Sequence, residues 1–357
     1  MTNKFKTLAI AFGLALLSGL SYFLLGQFGA LFTIPSTALS VFWPPDAATL
    51  AILLLSPRRY WPFILVGSWL GDFPNEFTMS GSFRDAMILA TLDSLMVLMP
   101  AFIIRCYAGD ITVRNSIRWF AWLFVSYGLF SVPLIGLIAA LTVYGHEYTF
   151  VEIANNIKTF SLSAISSGLI LVPLIVASFE TLVTRPESPD IDWRNSRKIA
   201  GFMVLILVIS VGEYYEILFY YPTAHDNLNI HVPVLFILAY IYGLIGAGIG
   251  SAIVLVTSGM APFYVVYDAE PIPIARVVLD LQVTALANIL GTMLLACVAT
   301  RMRFVNRDLA KAVLRAEQEE RQAQQLYLHA PVGLFMVDCD YRYVRINKLL
   351  ADFNGVS

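Results

Sequence analysis

GTMLLACVATRMRFVNRDLAKAVLRAEQEERQAQQLYLH, Gly291 to His329, changes character once, at Arg301. Before that residue the chain is almost unbroken apolar spans. After it a charged run continues the last span into water with no Gly or Pro to stop a helix. Two solvents along one helical stretch define the fold class. It is an all-α polytopic membrane bundle over residues 1–300, followed by a cytoplasmic coiled-coil helix over 301–329 and a truncated α/β pattern over 330–357.

Composition agrees. The 357 residues are 58% hydrophobic and 13% charged, with a mean hydropathy of +0.72, whereas soluble domains run about one quarter charged. The apolar composition makes membrane lipid a partner, and a net charge of -2 argues against nucleic acid. The three cysteines, Cys106, Cys297 and Cys339, read as free thiols on a reducing face. Lys4 and Lys6 precede an apolar run from Leu8 to Leu25 with no small-residue cleavage site after it, so an uncleaved first span is expected.

Apolar stretches lie near 5–27, 46–57, 60–73, 83–105, 117–144, 156–182, 199–221, 231–262 and 275–300. The second and third are short and flanked by Pro44, Pro45, Pro57 and Pro62, and read either as tilted short crossings or as a re-entrant pair. The stretch 231–262 is too long for one crossing of about 20 residues. Its centre, GLIGAGIG from Gly243 to Gly250, predicts a tight turn between two spans, making ten. With ten, Lys4, Lys6, Arg58, Arg59, Arg105, Arg114, Arg118, Arg185, Arg194, Arg197, Lys198, Arg301 and Arg303 share one face. That asymmetry predicts an inner-membrane protein with both termini cytoplasmic.

Past Arg301, positions Val305, Leu309, Ala312, Ala316, Glu319, Ala323, Leu326 and Ala330 alternate steps of four and three, the seam of a coiled coil. Alanines and a glutamate make the seam weak, which suits a signalling helix of a parallel homodimer; a solvated amphipathic linker is the plainer alternative. Arg301, Val305, Leu309, Ala312, Ala316, Ala323 and Leu326 are the candidate transmission residues.

Ionisable groups at membrane depth are functional suspects. Asp93 lies in mid-span, Glu213 and Glu216 share a helix face, and Arg276 and Asp280 are four apart. Asp46, Asp72, Arg84, Asp85, Asn155, Asn156 and Lys158 fall near the outer ends of spans. This skew predicts a polar cavity open to the periplasm. The candidate ligand residues are Asp46, Asp72, Arg84, Asp93, Asn155, Lys158, Glu213, Glu216, Arg276 and Asp280, with internal salt bridges as the competing account. Their acidic excess favours a cationic or polyhydroxylated small ligand, or protonation itself. Trp43, Trp61 and Trp69 read as interfacial anchors and packing.

The stretch Val41–Phe73, VFWPPDAATLAILLLSPRRYWPFILVGSWLGDF, resembles the signature of a bacterial membrane-associated sensor family, the first type of the MASE domains. The matching positions are Trp43, Pro44, Pro45, Arg58, Arg59, Trp61, Pro62, Gly67 and Gly71, with Ala47 where the family usually has Gly. GLIGAGIG and Ala261-Pro262-Phe263 are similar to its carboxy-terminal half. The resemblance covers roughly residues 8–305. It implies a sensory input domain preceding PAS modules, histidine kinases or domains that turn over cyclic di-GMP. Residues 329–357 resemble a PAS start: Ala330-Pro331-Val332-Gly333, a strand LFMVD, a turn at Cys339–Arg342, a strand YVRIN, then Asn347 before a short helix.

A small-molecule transporter or substrate-binding membrane component is the alternative, and a membrane enzyme comes third, because no nucleophile, base and orienter stand at recognisable spacing. No cofactor is expected. His146, His225 and His231 lack metal-pair spacing and read as solvated loop residues; His329 lacks the neighbours of a phosphoacceptor.

Overall fold

A computed structural model describes residues 2–34, 39–109, 111–144, 149–184, 196–215, 231–264 and 274–355. The chain divides into two compact units, Met1–Arg301 and Met302–Ser357.

The described residues of the first unit form helices and one two-stranded ribbon. Its elements are α1 Thr2–Ala30, β1 Thr33–Ile34, β2 Leu39–Ser40, α2 Pro45–Leu55, α3 Trp61–Ser80, α4 Phe83–Tyr107, α5 Ser116–Leu123, α6 Val132–Ala139, α7 Phe150–Phe179, α8 Ser196–Tyr215, α9 His231–Tyr264 and the beginning of α10 Ile274–His329. A wide π-helical turn at Phe124–Ser131 joins α5 and α6 into one helical run, and others at Ala140–Tyr144 and Glu180–Thr184 extend α6 and α7. Among the described residues six helices are long and apolar enough to cross a membrane. Exposed Leu16, Leu20, Leu24, Val66, Leu70, Phe102 and Leu129 are what a lipid-facing surface requires, since lipid tails are as apolar as leucine.

The α1–α3 contact is built on small residues. A Cβ on Gly71 would stand 2.1 Å from the carbonyl oxygen of Gly19, and one on Gly67 2.1 Å from that of Ala15. The two glycines are four apart on α3, the small-xxx-small spacing that lets helix backbones touch in lipid.

α2 is a half-length helix. Its 11 residues span about 16 Å, roughly half of a ~30 Å hydrocarbon core. It is buried along nearly its whole length, packed against α1, α3, α4 and α7. α2 begins inside the bundle and is followed by exposed Pro57, Arg58 and Arg59, and α3 runs on for 20 residues. A helix whose ends are buried leaves orphan backbone groups that cost free energy, and the motif residues satisfy them. Pro44 and Pro45 carry no N–H, so two orphan donors do not arise. At the other end Trp61 Nε1 donates to Leu53 O at 2.9 Å and Ser56 O at 3.3 Å, and Arg105 Nη2 donates to Leu54 O and Ser56 O. Trp61 is therefore a buried cap, 6% exposed, packed within the bundle as expected of it.

The segment before α2 folds inward. β1 pairs antiparallel with β2, Phe28, Phe32 and Phe42 meet edge to face, and the Trp43 N–H donates to Ser167 Oγ on α7 at 3.1 Å.

α9 contains one non-helical residue, Gly243 (φ 59°, ψ -143°), a left-handed φ that glycine adopts without strain. The two halves fold back on each other there: a Cβ on Gly250 would meet Leu235 and Leu238, and one on Gly246 the Leu238 carbonyl. The turn expected at GLIGAGIG is present. His231, expected in a solvated loop, is buried at the start of α9, its Nε2 3.3 Å from Asn288 Nδ2 of α10. His146 and His225 lie outside the described residues.

The second unit contains the remainder of α10, whose helical backbone runs through Met302 without interruption, then β3 Phe335–Val337, β4 Tyr343–Ile346 and α11 Lys348–Phe353. β3 and β4 form the expected antiparallel hairpin. Asn347, fully buried, caps α11 by accepting from Leu350 N at 3.1 Å; it also accepts from Leu334 N at 3.0 Å and donates to Val332 O at 2.8 Å.

Candidate functional site

Four carboxylates and two tyrosines converge where α2 begins. Asp46 stands in the first turn of α2 and Asp72 and Glu76 one turn apart on α3; Asp93 is near the middle of α4. Tyr22 comes from α1 and Tyr127 from the π-helical segment between α5 and α6. The small-residue contact of α1 with α3 brings Tyr22 to the acids. Tyr22 donates its hydroxyl proton to Asp46 Oδ1 at 2.8 Å, with Asp93 Oδ2 at 3.5 Å.

Asp46 is fully buried, Asp72 is 1% exposed and Asp93 9% exposed; Glu76 is half-buried. Counted from the helix ends nearest the α1–α2 connection, Asp72 is about 12 Å and Asp93 about 15 Å deep, at 1.5 Å per residue. Carboxylate oxygens of Asp72, Glu76 and Asp93 all lie within 4.8 Å of one another. Both Asp72 oxygens, Asp46 Oδ2, Thr49 Oγ1 and the Tyr127 hydroxyl are buried without a hydrogen-bond partner. No described basic side chain pairs with any of the four acids. Unpartnered polar atoms at such depth are costly, and among the described residues no salt bridge closes the cluster.

The structure thus brings together Asp46, Asp72 and Asp93 of the sequence candidates. It does not bring Arg84, Asn155 or Lys158, which are exposed; at helix ends a side chain can turn outward, and these do. Glu216 and the side chains of Glu213, Arg276 and Asp280 lie outside the described residues. Tyr22, Glu76 and Tyr127 were missed. Glu76 carried a signal, its four-residue spacing from Asp72. Neither tyrosine did, since tyrosine at membrane depth is more often packing.

A family model described as MASE1 matches residues 14–306. The chain belongs to the MASE1 family. The match takes in the Trp-Pro-Pro segment, the half-length α2 and the four acids, so the acidic site lies wholly inside the MASE1 domain. MASE1 is a membrane-associated sensor domain of signalling proteins, and this chain is accordingly a multi-pass membrane protein. No curated protein and no solved structure matches the chain.

Proposed function

We propose that this MASE1 chain is the input part of a bacterial signal-transduction protein, receiving a periplasmic or membrane signal at the Tyr22–Asp46–Asp72–Asp93 cluster. The signal passes along α10 to a PAS module and an output beyond it, a histidine kinase or an enzyme of cyclic di-GMP turnover. The observation that carries this reading is α10 itself, one helix from Ile274 to His329. In this reading the bundle crosses the inner membrane ten times with both termini cytoplasmic. The excess of basic residues on one face supports that topology, and the turn at Gly243 supports the extra crossing. The acids then open toward the periplasm.

The seam residues Val305, Leu309 and Leu326 are 49%, 62% and 74% exposed in the single chain, and Ala312, Ala316 and Ala323 are exposed with them. A parallel second copy would cover them. Arg301, at the base of the run, donates to Arg114 O at 3.3 Å, tying the start of the transmission helix to the α4–α5 connection.

The test fuses residues 1–330 to a reporter kinase. Asp46→Asn and Asp93→Asn are expected to shift reporter activity at unchanged membrane abundance; activity equal to the parent in both would contradict the reading. A transporter is the second reading, favoured by one observation: α2 is a broken helix whose end meets polar groups at depth, as in secondary transporters. Uptake of labelled cations into vesicles above the level of empty ones would favour it.

A further inference from the structure

The ligand class at this site follows from its donors, an inference that rests on reading the acids as the place where the signal binds. Asp72 and Glu76 lie on one face of α3, and Asp93 faces them from α4. Oxygens of a cation's coordination sphere, at metal–oxygen distances of about 2.0–2.6 Å, lie up to roughly 5 Å apart. The three carboxylates, all within 4.8 Å of one another, already meet that limit.

An independent element points to the same spot. The Tyr127 hydroxyl is fully buried with no hydrogen-bond partner, and it lies within electrostatic reach of both Asp46 and Asp93. It comes from a π-helical segment, a distortion of helices that recurs at functional sites. Its ring packs on Gly168 of α7, where a Cβ would stand 2.3 Å from the ring, so the tyrosine is held in place by its backbone neighbours. A neutral oxygen within electrostatic reach of two of the acids, and with no hydrogen-bond partner among the described residues, is a further donor.

Charge points the same way. Four carboxylates share one buried region with no described basic partner, and the set contains only oxygen donors, with neither His nor Cys. Hard oxygen sets of high negative charge select magnesium, calcium or manganese over zinc or copper. We propose that Asp72, Glu76 and Asp93 bind one hard divalent cation at membrane depth, with Asp46, held by Tyr22, and Tyr127 completing its surroundings. A cation there would link α3 to α4 and, through Asp46, to the start of α2, so its arrival or loss would change the packing of three helices together.

The experiment uses the full chain in lipid nanodiscs, stripped with a chelator and titrated with manganese. Free manganese is read by electron paramagnetic resonance. The expected result is one bound ion per chain, displaced by calcium or magnesium. Asp72→Asn and Glu76→Gln should each weaken binding at least about tenfold, and Glu320→Gln, an exposed acid of α10, should not change it. Glu76 is half-buried, so its variant keeps the test available should Asp72→Asn fail to fold by gel filtration. Absence of saturable binding to the parent protein would overturn the proposal, and so would affinity unchanged in both site variants. The titration reads binding with no output attached. A failed titration alongside acid-dependent reporter activity would remove the cation and keep the input reading; binding with a reporter indifferent to the acids would do the reverse.

Discussion

Tyr22 shows how one side chain organises the site. Its hydroxyl is the only described donor to Asp46 Oδ1, at 2.8 Å, and hydrogen bonds between helices in membrane proteins contribute on average about 0.6 kcal/mol and at most about 1.7. Tyr22→Phe is therefore expected to lower stability by about 0.5–1.7 kcal/mol, read as a fall in the thermal unfolding midpoint in detergent; an unchanged midpoint would mean the contact contributes nothing. At this scale the sequence was half legible. Asp46, Asp72 and Asp93 stood out because a carboxylate at membrane depth is costly wherever it lies. Arg84, Asn155 and Lys158 looked equivalent and are not, since the face a helix-end residue takes depends on neighbours that sequence position does not reveal.

At the scale of elements, α2 and the α1–α3 contact decide whether the acids meet. Val at position 71 would place atoms inside contact distance of the Gly19 carbonyl; overpacking of this kind costs about 1–3 kcal/mol. Gly71→Val should consequently reduce the folded fraction on gel filtration, whereas Gly13→Val, with nothing within 4 Å of its Cβ position, should not. Trp61→Phe removes the donor to Leu53 O and Ser56 O, and is expected to cost about 1 kcal/mol in the same melts; no loss would contradict the capping role. The glycines at 67 and 71 and the prolines at 44 and 45 were legible as motif residues. How the ends of α2 are capped was not. An 11-residue apolar run does not announce its caps, and the Arg105 donor to its last carbonyls comes from α4, 51 residues on.

For the whole molecule the question is whether α10 couples the membrane bundle to an output. Its continuity was the most legible feature, because the run from Gly291 to His329 holds no breaker after its first residue and helix propagation needs none of the long-range contacts that hide α2. The break in α9 was legible because repeated glycine weakens a helix in a stretch too long for one crossing. Pairing of α10 is testable by disulfide formation, since Leu309→Cys in a parallel dimer should cross-link to itself in membranes, and a cysteine at exposed Arg315, off the seam, much less. Transmission along the helix is tested most directly by its phase. In a fusion of residues 1–330 to a reporter kinase, seven residues inserted after Leu309 preserve the seam and should leave output close to that of the parent. Four residues rotate one side of the seam against the other and should lock output high or low. Output indifferent to both insertions would contradict the claim that α10 carries the signal.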